Sequence, residues 1–150
     1  MALNPEFVGR VYPTSPPYQV GREKIREFAT AVGDRNPVCH DVEAARALGY
    51  ADVVAPPTFG IVMSMDASAV VMFDPELGLD YSRVVHGEQR FAYTRPIVAG
   101  DVLVVTTSIE SIRTAAGNDM LMTRGDITTE TGEPVVTSFS LIIARAAEEA

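Results

Sequence analysis

The chain has 150 residues, 47% of them hydrophobic, and a formal net charge of −8. That length and apolar content suit one globular domain over 1–150 and exclude a disordered chain. The negative charge disfavours nucleic acid or an anionic membrane as the main partner, because both need a basic face. The single Cys39 rules out an internal disulfide and fits a reduced cytosol. The start, Met1-Ala2-Leu3-Asn4-Pro5-Glu6, lacks the basic and apolar regions of a signal peptide, so a cytoplasmic location is expected.

In chain order, residues 1–17 are Pro-rich and irregular, with a short strand expected at Phe7 to Val11. Tyr18 to Val20 reads as a second short extended piece. Glu23 to Val32 reads as a helix, because Ile25, Phe28, Ala29 and Val32 form one apolar stripe at helical spacing. Gly33 sits where a C-terminal cap glycine belongs. Asp34-Arg35-Asn36-Pro37-Val38-Cys39-His40 follows, carrying a carboxylate, an amide and one of two histidines. Proton chemistry on a small substrate needs a base and an acid within reach of one atom, and Asp34 and His40 across an Asn-Pro turn supply both. Asp41 can cap a helix from Val42 to Leu48, which Gly49 ends.

Pro56-Pro57 opens the most apolar run, which reaches Phe73, is 17 residues long and contains Asp66. A membrane span needs about 20 apolar residues, so the run reads as a buried core helix with Pro57 at its first position. It is apolar nearly all round and so expects to be enclosed. From Tyr81 the period becomes two. His86 shares a strand face with Glu88 and Arg90, unless Gly87 forms a bulge that re-aims it. Pro96 ends that strand and Ala99-Gly100-Asp101 turns the chain. Val102 to Ile112, Met120 to Thr129 and Val135 to Ala144 read as three further strands joined by short Gly turns, which implies an antiparallel meander. The tail from Ala146 to Ala150 reads as frayed. One enclosed helix followed by a long antiparallel sheet is an α+β arrangement in which the sheet curls around the helix. An open sheet edge implies at least a dimer.

These residues resemble a family. Gly33-Asp34-x-Asn36-Pro37 followed by His40 resembles the signature of the MaoC-like, (R)-specific enoyl-thioester hydratases, which have the hot-dog fold. Val54-Ala55-Pro56-Pro57-Thr58-Phe59 resembles the approach to their central helix. His86-Gly87-Glu88-Gln89-Arg90-Phe91, Arg95-Pro96 and Ala99-Gly100-Asp101 resemble the dehydratase-type branch. Gly21 to Ala29 is similar to the small subunits of the mycolic-acid (3R)-hydroxyacyl-carrier dehydratases and to an actinobacterial group beside them.

The resemblance implies that Asp34 and His40 are the acid/base pair that adds or removes water across the double bond of an acyl thioester. Asn36 would support the turn, and Thr58 would donate its N–H to the thioester carbonyl, as in an oxyanion hole. Two departures stand out. The signature has one residue between the Pro and the His; here Val38 and Cys39 intervene, so His40 follows Asp34 by six positions. In an extended stretch one extra residue reverses a side chain's facing. The family also has His-Gly where Pro56-Pro57 stands, and Pro57 has no N–H. In the mycolic-acid enzymes one subunit has lost the catalytic pair and binds the acyl chain, which this chain resembles while keeping Asp34, Asn36 and His40.

Three readings follow. The first is a hot-dog (3R)-hydroxyacyl-thioester dehydratase/hydratase. The second is a catalytically silent hot-dog subunit that binds the acyl chain beside a catalytic partner. The third is a hot-dog thioesterase. The substrate would ride on coenzyme A or an acyl carrier protein, with no further cofactor and no metal. Arg83, Arg90 and Arg95 are the candidates for the carrier's phosphate. His86 is a supporting candidate, and the assembly is a homodimer or a heterodimer with another hot-dog chain.

Overall fold

The computed structural model describes residues 3–145, and the tail read as frayed lies outside them. Strand β1 is Tyr18–Gln19, helix α1 Arg22–Val32, α2 Val42–Ala47 and α3 Ile61–Met72. Then come β2 Val84–Tyr93, β3 Val102–Ala115, β4 Asn118–Thr129 and β5 Pro134–Ala144. The strands form one antiparallel sheet in the order β1-β3-β4-β5-β2.

Strands β3, β4 and β5 are the expected meander. The loop between β3 and β4 is closed by Ala116 and Gly117, with φ of 50° and 76°. Positive φ at both central residues marks the hairpin turn whose twist matches the strands. Strand β2 departs from the meander: it crosses to the far edge and pairs with β5 rather than β3. Residues 94–101 are no hairpin turn. Gly100 N–H donates to Val20 O, Asp101 O accepts from Val20 N–H, and Ala99 N–H donates to Val53 O. Those bonds fasten the segment beneath β1 and so carry the chain across the sheet.

Three other expectations are corrected. The strand expected at Phe7 to Val11 is a 3-10 turn over Pro5–Phe7, because Asn4 caps it by accepting from Glu6 N–H and Pro5 has no ladder donor. Val11 makes only an isolated bridge to Ser108. Helix α3 begins at Ile61 instead of Pro57. Phe59 N–H donates to Pro56 O and Ile61 N–H to Thr58 O, so residues 56–61 wind as tight turns before the helix starts. Finally, α3 is not enclosed within one chain. It buries Met63, Ser64, Val71 and Met72 against β3 and β4, while Met65, Val70 and Phe73 are 60%, 48% and 66% exposed. The β5–β2 half of the sheet leaves that flank open. Val32 is likewise exposed at the end of the α1 stripe.

The main core joins Ile25 and Ala29 of α1, Phe59 and Met63, and Leu103, Val105, Ile127, Val135 and Val136 of the sheet. A second core holds Phe7, Tyr12, Val71, Leu77, Ile109 and Leu121 at the far end of α3. Among the described residues no helix is long and apolar enough to cross a membrane.

Candidate active site

The turn after α1 is built by successive local hydrogen bonds. Gly33 takes the left-handed conformation, φ 74°, and Asp34 N–H donates back to Ala29 O at 2.8 Å. Asp34 Oδ1 then accepts from Asn36 N–H at 2.9 Å, and Asn36 Oδ1 accepts from Val38 N–H at 3.2 Å. Short polar side chains that bond to backbone two residues on favour turns over extended chain. Pro37–Cys39 accordingly forms a single 3-10 turn, and Val54 N–H ties it down through Val38 O.

The stretch winds instead of extending, so strand alternation does not set where His40 faces. His40 Nε2 lies 2.8 Å from the main-chain oxygen of Asp34. A carbonyl oxygen only accepts, so Nε2 carries a proton and Nδ1 is the basic nitrogen of the neutral ring. Asp34 and His40 are therefore brought together, through the Asp34 carbonyl rather than its carboxylate.

Asp34 and Asn36 line a cavity of about 340 Å³, closed by Cys39, Ala55 to Pro57, and Tyr93 to Pro96. His40 is half-buried beside this cavity and does not line it. Thr58 is exposed and does not line it either. Cys39 is buried beneath the turn, its Sγ 3.9 Å from Asp34 Oδ2. Burial first, then the neighbouring Asp34 charge, push the Cys39 thiol up to about 11. Both disfavour the thiolate. Alkylation of native Cys39 by iodoacetamide at pH 8 is therefore expected to run about a hundredfold slower than in the urea-unfolded chain, the two-unit rise being a hundredfold fall in thiolate. The rate should climb with pH and increase in Asp34→Asn. A native rate equal to the unfolded one would refute the buried placement.

His86 occupies a different place from the one its strand alternation predicts. The β2–β5 register shifts between His86 and Glu88, so Gly87 is a bulge. A Cβ there would stand 2.9 Å from Ile143 Cδ1. The bulge turns His86 onto the face of Gln89. Both line a second cavity of about 270 Å³ between α3 and the sheet. His86 Nε2 is 3.1 Å from Ser140 Oγ, and Gln89 Nε2 donates to Ser138 Oγ at 2.7 Å. His86 and the Asp34 turn thus belong to separate cavities.

The three arginines do not converge. Arg83 donates to the Arg145 carbonyl. Arg90 stacks 4.1 Å over Phe139 and pairs with Glu88. Arg95 alone reaches the first cavity, and its guanidinium is held by Asp101 at 2.9 and 3.0 Å and by Glu133 at 2.9 Å. Those bonds raise its pKa further above the ordinary arginine value. Sequence reasoning missed Tyr93. It reads only as a strand residue, yet its hydroxyl donates to Pro57 O at 2.7 Å across the cavity. No local pattern signals that contact, because the partners are 36 positions apart.

A curled antiparallel sheet on a central helix, with an Asp-x-Asn-Pro turn at a cavity beside the start of that helix, is the architecture of the hot-dog fold. Residues 6–138 match the model of the FAS1-like dehydratase domain region, and the chain belongs to that family. It is 63% identical to a UPF0336 protein of Streptomyces avermitilis over 149 residues, 99% of each chain. It is 55% identical to a UPF0336 protein of Saccharopolyspora erythraea, covering 99% of this chain and 96% of the relative. Among solved structures, a MaoC-like dehydratase superposes with a TM-score of 0.87 at 38% identity, covering 94% of this chain. This chain spans only 43% of that protein. The HadBC complex of Mycobacterium tuberculosis, a (3R)-hydroxyacyl-ACP dehydratase, gives a TM-score of 0.82 at 32% identity, covering 91% and 96% of the two chains.

Proposed function

We propose that the chain is a (3R)-hydroxyacyl-thioester dehydratase/enoyl-thioester hydratase that works in a two-chain hot-dog assembly. The observation that carries this reading is the turn at Asp34. Asp34 lines a cavity there, and His40 Nε2 lies against the main-chain oxygen of the same residue, which supports a pair at six-residue spacing. In the hydration direction, one of the two side chains takes the proton of the attacking water and the other delivers a proton to the α-carbon. Polarisation of the thioester carbonyl lowers the cost of charge at that carbon. The exposed flank of α3 and the unpaired edge of β2 need cover, and one of the structural relatives, HadBC, is a complex, which supports pairing with another hot-dog chain. Coenzyme A and acyl carrier protein both remain as carriers of the acyl group.

A second reading is the silent acyl-binding subunit. It is favoured by His40, which does not line the cavity and whose Nε2 proton is spent on the Asp34 carbonyl.

The test is hydration of crotonyl-CoA and of a longer enoyl-CoA by the purified chain, alongside Asp34→Asn and His40→Ala. Turnover is expected, with a loss of at least about a hundredfold in either variant, the scale of one general acid or base. No turnover alone, followed by turnover with a co-expressed hot-dog partner that is indifferent to Asp34→Asn, would establish the silent subunit instead.

A further inference from the structure

Polarising a thioester carbonyl requires a donor hydrogen aimed into the cavity, and the start of α3 has few to offer. Pro56 and Pro57 have no N–H. Phe59, Ile61 and Val62 spend theirs on Pro56, Thr58 and Phe59 carbonyls. Thr58 is exposed outside the cavity. Gly60 is buried against the Phe91 ring and does not line the cavity. Among the other cavity residues, Arg95 is held by Asp101, Glu133 and the Pro96 carbonyl, and of the exposed Asn36, Thr94 and Tyr93 it is Tyr93, 37% exposed, whose side-chain donor is fixed by a hydrogen bond.

Tyr93 is placed differently. It stands at the end of β2, two positions after Phe91 and on the same face. Phe91 presses the backbone at Gly60, where a Cβ would come within 3.0 Å of its ring. The Tyr93 hydroxyl crosses from the sheet to the loop before α3 and donates to Pro57 O at 2.7 Å. We propose that Tyr93 is the substrate-positioning donor of this site, its hydroxyl taking the place of the backbone amide that Pro57 lacks and binding the carbonyl oxygen of an acyl thioester. Rotation about the phenol C–O bond redirects the proton from Pro57 O to the ligand. Pro57 is exposed, so water can satisfy its freed carbonyl. The phenol keeps its proton at neutral pH, because desolvation pushes it up to about 12.

The proposal rests on the acyl-thioester reading, and the experiment separates the two. Butyryl-pantetheine, which has no double bond to hydrate, and S-butyl-pantetheine, which lacks the carbonyl, are titrated calorimetrically into the full chain and into Tyr93→Phe. The wild type should bind the thioester about tenfold tighter than the thioether, the size of one hydrogen bond to a carbonyl. Tyr93→Phe should bring the two affinities together while leaving the thioether unchanged. The carbonyl stretch of bound ¹³C-butyryl-pantetheine should fall in the wild type, a readout that needs no variant, and return toward its value in water in Tyr93→Phe. Equal weakening of both ligands would make Tyr93 a structural pin on the loop and overturn the proposal, as would a wild type that does not discriminate. Absence of binding by either compound would sink the acyl-thioester reading itself and Tyr93's role with it.

Discussion

Replacing Phe59 by alanine is expected to cost about 4 kcal/mol of stability, the range for deleting a fully buried aromatic ring. Phe59 is 0% exposed and sits in the main core. Its ring meets Phe28 of α1 edge-on, with centroids 5.4 Å apart and planes at 80°. That geometry adds to the area buried by each ring. The contact fastens α1 to the loop before α3, and the Asp34 turn hangs from the end of α1. Loss of the ring therefore loosens both walls of the cavity. With about 2–4 °C per kcal/mol for a chain of this size, the melting temperature should fall by roughly 12 °C. Urea unfolding measures the free energy directly. A loss under about 1.5 kcal/mol would mean that the core collapses around the missing ring, and that Phe59 is not what joins the two elements.

Arg95→Met is expected to cost about 2–3 kcal/mol while, on the acyl-thioester reading proposed above, leaving affinity for coenzyme A within about twofold, since charged hydrogen bonds are each worth about 1.5–3 kcal/mol. Arg95 is 29% exposed and Asp101 17% exposed at their side chains. Asp101 Oδ2 also accepts from Val98 N–H at 2.9 Å, so the carboxylate organises the crossover. Without the guanidinium, that half-buried charge loses its counterion and the 94–101 segment loses its clasp. A phosphate-binding Arg95 makes the opposite prediction: little change in melting and a large loss of coenzyme A affinity, with less discrimination against dephospho-coenzyme A. The bonds to Asp101 and Glu133 leave the guanidinium little to offer a phosphate.

The amino-acid sequence by itself determined the helices α1 and α2, the strands β3 to β5 and the position of the Asp34 turn. Each depends on neighbours: the apolar stripe from Ile25 to Ala29, the left-handed Gly33, the Asn36 and Asp41 caps, and the alternation of buried and half-buried residues from Leu103 to Ile109. The α+β arrangement followed from the order of those pieces, and the hot-dog fold from the resemblance carried by the Asp34 turn and the His86 to Phe91 motif. Only the tertiary structure decided the rest, because the deciding contacts join residues far apart in the chain. The path of β2 to the far edge depends on bonds from Ala99 and Gly100 to Val53 and Val20. The open flank of α3 depends on how far the sheet reaches around it, which no periodicity encodes. The sequence named Gly87 as a place where a bulge could re-aim His86, and the register shift against β5 decided that it does. His40 met Asp34 because two side-chain-capped turns wound the intervening chain, and Tyr93 met Pro57 because the sheet closed over the start of the central helix.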